Sequence, residues 1–137
     1  MSNKIALHIT LPFKESRLRY LNCILSNCIG YPLKTDIYVH TNVAKFPTDK
    51  LDRYSNGHII IIHNGPEPEY LSWKCRPIID SQKDKYDYTM YSDVDVVIPP
   101  QAVVYYLTYR QICNTQGYNL GFVRVYNDKG QLYNKDF

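Results

Sequence analysis

Four consecutive isoleucines, Ile59-Ile60-Ile61-Ile62, stand between His58 and His63, with the turn signals Ser55-Asn56-Gly57 before them and Asn64-Gly65-Pro66 after. An unbroken β-branched run of this length reads as a strand buried on both faces, as in parallel sheets, whose strands lack the in-and-out alternation of antiparallel ones. The rest of the chain supplies the helices that such a sheet needs. Residues 4–10 form a β-leaning run, Leu11-Pro12-Phe13-Lys14-Glu15 breaks it, and Ser16 stands where a helix N-cap is expected. Beyond it Leu18, Leu21, Leu25 and Cys28 recur at helical spacing until Gly30-Tyr31-Pro32 ends the pattern.

The alternation continues. Residues 36–40 read as a second strand, and residues 42–54 as a polar, weakly helical stretch. After the isoleucine strand, Leu71, Cys75, Ile78, Ile79 and Gln82 fall on one helical face. Pro77 is tolerable only near a first turn, which predicts a helix beginning near Arg76. Residues 87–91 form a fourth strand with residues 92–99 as its exit, and Pro100 suits the first position of a helix through Val103, Val104, Leu107 and Ile112 that Gly117 closes. A last strand is predicted over residues 121–126, with Asn127-Asp128-Lys129-Gly130 as a hairpin turn. The expected class is α/β, a mostly parallel sheet flanked by helices, in a single domain over residues 1–137.

Composition excludes several functions. The apolar strip Ile5-Ala6-Leu7-His8-Ile9 is too short for a signal-peptide core or a membrane span, so a cytoplasmic protein is expected. Four cysteines, Cys23, Cys28, Cys75 and Cys113, show no metal-binding spacing and read as reduced, mostly buried thiols. The net charge is +3, and the sixteen Lys and Arg are scattered, so nucleic acid is not the favoured partner. Four histidines without ligand spacing read as structural, and Trp73 as a core anchor.

The candidate site is Asp93-Val94-Asp95. With ten Asp in the chain, chance alone supplies about 0.7 such triplets, so the setting carries the meaning. The triplet follows the fourth strand directly, at the carboxyl end of the expected parallel sheet, where open α/β folds bind ligands. A turn there can bring both carboxylates around a hard cation, which in turn can bridge the phosphates of a nucleoside diphosphate. The bland alternative is that both carboxylates merely solvate the turn before Pro99-Pro100.

The chain also resembles GT-A glycosyltransferases. Residues 4–10, the loop after them and the helix to Cys28 look like that family's opening βα unit, and residues 87–99 look like its DXD strand and exit. The segment Leu71-Ser72-Trp73-Lys74-Cys75-Arg76 is similar to the family's basic region near the donor. The resemblance implies a Rossmann-like nucleotide-diphospho-sugar transferase architecture, its N-terminal, donor-binding portion, and a nucleotide-sugar donor, UDP-sugars being favoured. It implies Asp93 facing the ribose or the metal, Asp95 ligating Mn²⁺ or Mg²⁺, Thr10, Phe13 and Glu15 lining the nucleotide pocket, and Lys74 or Arg76 steadying a phosphate.

The later half of the family's machinery has no counterpart. No His follows His63, and the only carboxylates after Asp95 are Asp128 and Asp136, so no catalytic base is assigned. Three expectations follow: a fragment of a larger enzyme, a homo-oligomer in which a second subunit completes the acceptor site, or a donor-binding assembly module without catalysis. Asp93-Val94-Asp95-Val96-Val97 also fits the nucleophile motif of haloacid-dehalogenase-type phosphatases, but those place it on the first strand, and here three strands precede it.

Overall fold

The computed structural model describes residues 4–118, 120, 125–128 and 131–134. The chain divides into two compact units, Met1–Pro100 and Gln101–Phe137. In the first, strands β1 (Lys4–Leu11), β2 (Lys34–Thr41), β3 (Ile59–His63) and β4 (Tyr88–Asp93) form a sheet in the order β3-β2-β1-β4. Every pairing in it is parallel. The expected α/β class with a parallel sheet is therefore present, in a Rossmann-like arrangement.

Helix α1 (Leu18–Ile29) links β1 to β2, and α2 (Leu71–Ser81) links β3 to β4. The two connections run in opposite directions across the sheet, so right-handed crossovers put the helices on opposite faces. Side chains agree with this. Leu7 and Ile9 meet Ile24 of α1 around a small void, while His8, on the other face of β1, is close enough to Gln82 at the end of α2 to feel its amide. Residues 5–11 of β1 and 35–41 of β2 are all buried, as central strands covered on both sides must be. Each fully buried Leu or Ile contributes about 1.5–3 kcal/mol, so β1 and β2 hold the core.

Several local expectations are corrected. Ser16 is not an N-cap: residues Glu15–Arg17 form a 3₁₀ turn, closed by Arg17 N donating to Lys14 O at 2.9 Å, and α1 begins at Leu18 without a side-chain cap. Residues 42–54 are not helical beyond a 3₁₀ turn at Thr48–Lys50, because Pro47 lacks an N–H and pushes Phe46 out of helical geometry. The isoleucine strand β3 is half-buried, since it lies at an edge of the described sheet. Helix α2 starts at Leu71 and carries Pro77 inside it. The Trp73 carbonyl thereby loses its helical donor, and it sits on an exposed turn where water can replace that donor.

Gly57 has a φ of 147°, and a Cβ there would meet Thr35 O at 2.2 Å, so only glycine fits the turn that delivers β3 beside β2. Helix α3 (Pro100–Thr115), all but its first residue in the second unit, opens on the predicted proline and closes at Gly117 (φ 81°). The N–H groups of Gly117 and Tyr118 donate to Asn114 O and Cys113 O, a Schellman motif. Strands β5 (Val125–Asp128) and β6 (Gln131–Asn134) form an antiparallel hairpin in which Asp128 pairs with Gln131, so Asp128 belongs to a strand and not to the turn. The predicted strand residues 121–124 lie outside the described ones. The cysteines are free, Cys28 and Cys75 buried and Cys23 exposed. No helix among the described residues is long and apolar enough to cross a membrane.

A line of polar side chains crosses the core. His8 Nδ1 lies 3.0 Å from His40 Nε2, and the Asn64 amide is 3.2 Å from His40 Nδ1. With the amide donating, His40 carries its proton on Nε2 and passes a hydrogen bond to His8 Nδ1. Both rings are fully buried. Burial first, and for His8 also the neighbouring His40, pushes each imidazole down from 6.5 to about 4. Unfolded histidines take up protons below about 6.5 that the folded ones refuse until about 4, so stability is lost as pH falls through that window. Denaturant unfolding is expected to show a loss on the order of 3 kcal/mol per histidine at the acid end. The double substitution His8→Gln/His40→Gln should flatten the profile between pH 6.5 and 4, even if it lowers stability overall.

Candidate functional site

Because all four strands run the same way, their carboxyl ends share one edge, and the loops leaving Leu11, Thr41 and Asp93 meet there. A cavity of about 490 Å³ opens at this edge. Its wall comes from Thr10 and Pro12, from Arg17 and Tyr20 around the start of α1, from Pro68, Leu71 and Ser72 at the start of α2, and from Asp93, Val94 and Asp95.

Asp93 is the last residue of β4, and the chain turns at once: Val96 N donates to Asp93 O at 3.1 Å, while Val94 N continues the ladder to Thr10 O at 3.2 Å. Val94 is buried, so the turn is anchored between two exposed carboxylates. Thr10 pairs with Asp93 in register, and its hydroxyl donates to Asp93 Oδ1 at 2.8 Å. The Tyr91 hydroxyl also donates to Oδ1, at 3.3 Å. Among the described residues nothing donates to Asp93 Oδ2 or to either oxygen of Asp95.

Of the seven residues singled out from the sequence, Thr10, Asp93 and Asp95 meet at the cavity wall. The other four are engaged elsewhere. The Phe13 amide donates to Asn42 Oδ1 at 2.8 Å, and its ring meets Phe46 edge-on at 5.7 Å. Glu15 forms an exposed ion pair with Lys50. These contacts brace the β1–α1 loop against the β2–β3 loop. Lys74 pairs with Glu67 at 3.2 Å. Arg76 lies 4.3 Å from the ring centre of Trp73, which is 63% exposed and so is no core anchor, its helix face being turned to water.

The cation in the cavity wall is Arg17, which sequence reasoning missed. Its guanidinium donates to Pro12 O, folding the side chain back across the loop. The signal available was position alone, one turn after a strand end. Tyr91 was also missed, although spacing of two on a strand puts it on the same face as Asp93.

Two neighbouring carboxylates with three oxygens free of donors among the described residues suit a hard divalent cation. Among the described residues no group of three or more His, Cys, Asp or Glu forms a complete cage. A two-carboxylate set fits the manner of Mg²⁺, which is usually held by one or two carboxylates, with water and substrate phosphates filling the shell. No protein-family model matches the chain, and neither does any curated protein or solved structure.

The brace gives a local expectation. Asn42→Ala removes the acceptor of the Phe13 amide and should lower stability by about 0.5–1.5 kcal/mol. Hydrogen exchange should accelerate at Phe13 and through the 12–17 loop while the β1 and β2 amides keep their protection; uniform acceleration across the sheet would contradict a local brace.

Proposed function

We propose that this chain binds a nucleotide-diphosphate sugar through a divalent cation held at Asp93 and Asp95, as the donor-binding part of a GT-A-like glycosyltransferase. The observation that carries the reading is the meeting of Thr10, Arg17, Asp93 and Asp95 around one cavity at the carboxyl edge of a parallel sheet. Ligands of open α/β folds bind at that edge.

Asp93 Oδ2 and the Asp95 carboxylate would hold Mn²⁺ or Mg²⁺, and the donor's phosphates would complete its shell. When bound, the cation neutralises the charge that builds on the diphosphate as the sugar departs. Arg17 supplies a fixed positive charge on the same wall and takes the phosphate-steadying role that the sequence suggested for Lys74 or Arg76. The first residues of α2 border the cavity, and the positive end of a helix dipole favours an anion there. Tyr20 and Pro12 offer flat apolar surface beside it.

Calorimetric titration with UDP, with and without Mn²⁺, tests the reading. UDP binding should require the cation, and Asp95→Ala should weaken it about 100-fold or more. Equal affinity in wild type and variant without metal would sink the assignment. Turnover of a UDP-sugar panel then separates a transferase from a donor-binding module. A second comparison tests the cation in the wall. Arg17→Ala should weaken UDP binding by about 10- to 100-fold, the loss of a charge-assisted hydrogen bond, while Lys74→Ala and Arg76→Ala stay within about twofold. The opposite order would move the phosphates to α2.

A further inference from the structure

Three oxygens form a tight triangle at the end of β4. Thr10 Oγ1 is 2.8 Å from Asp93 Oδ1, and the Tyr91 hydroxyl is 3.3 Å from each of them. The backbone makes this arrangement: Tyr91 and Asp93 lie two apart on one face of β4, and the β1–β4 register sets Thr10 beside Asp93. Two hydroxyl protons are available, and Asp93 Oδ1 is the charged acceptor within reach of both. Thr10 is 4% exposed, so its hydroxyl has little water to turn to.

A carboxylate at the exposed end of a strand otherwise rotates broadly about its last torsion. Two donors on Oδ1 remove the equivalence of its oxygens. We propose that Thr10 and Tyr91 are positioning residues that tie Asp93 Oδ1 to the sheet and present Oδ2 to the cavity as the oxygen that receives a divalent cation. This rests on the reading of Asp93 as a metal ligand. The Thr10 bond, at 2.8 Å, is the stronger of the two, so Thr10 carries more of the effect. Neither hydroxyl touches the cation; both act through Asp93, as second-layer partners of metal-binding carboxylates do.

The test is Mn²⁺ binding to the full chain in saturating UDP, followed by water-proton relaxation, with melting temperature as the control for folding. Thr10→Val and Tyr91→Phe should each raise the Mn²⁺ Kd by about 10-fold, Thr10 by the larger factor, with melting temperatures near wild type. Thr10→Ser restores the hydroxyl and should restore affinity to within about twofold. In an Asp93→Asn background, which itself weakens binding, adding Tyr91→Phe should cost nothing further. If Thr10→Val lowers the melting temperature, the half-exposed Tyr91 decides by itself. Wild-type affinity in Tyr91→Phe, with loss in Asp93→Asn, would overturn the positioning role and leave the metal site standing. Absence of Mn²⁺ binding by the wild-type chain would overturn both.

Discussion

The pairing of β1 with β2 on one side and β4 on the other sets what every loop in the first unit can reach. Each ladder is parallel, so no hairpin joins neighbours, and each connection must cross a face of the sheet, as helix α1 or α2 in two cases and as a loop with one 3₁₀ turn between β2 and β3. The cost is a strand with no solvated side, which is why residues 5–11 are all buried. The gain is that every strand end carrying a site residue faces the same way. The register of Thr10 against Asp93 is a direct product of this ladder, and a shift of one residue would send the Asp93 side chain to the opposite face.

A core closed on both faces favours polar groups that hydrogen-bond to one another, although His8 Nε2 and the Thr41 hydroxyl are buried without a partner among the described residues. His8, His40 and Asn64 form one such chain, and Tyr38, Tyr86 and Asp36 another, with the two phenols 2.6 Å apart and Tyr86 donating to Asp36 at 2.7 Å. The two chains touch where the His8 ring stacks on Tyr38 at 4.8 Å. Asp36 also accepts the His58 amide at 2.9 Å, so this network helps fix where β3 begins. Polar pairing thus assists hydrophobic burial in choosing the strand register.

Much of the fold was legible in the sequence, since hydrophobic runs and glycine or proline breaks are local. All four strands of the sheet, α1 and the proline start of α3 follow from them. What failed depended on tertiary context. Ser16 looked like a cap, but the turn before α1 is wound by backbone hydrogen bonds. Pro77 looked like a boundary, but the helix runs through it at a turn where Trp73, whose carbonyl loses its donor, is exposed. The isoleucine run looked buried on both faces, but strand order puts it at an edge of the described sheet. At the site, Asp93, Asp95 and Thr10 were legible because strand ends are. Arg17 and Tyr91 were not, because which side chain turns into a cavity depends on the neighbouring strand and loop.

The brace between Phe13, Asn42 and Phe46 bears on how the cavity would meet a ligand. A loop held by its own protein contacts has already lost its conformational entropy before anything arrives. Association would then proceed without an ordering step, and differences among ligands would appear chiefly in how fast they leave. The β2–β3 loop, which contributes no residue to the cavity wall, would thereby influence the kinetics of a site it does not line.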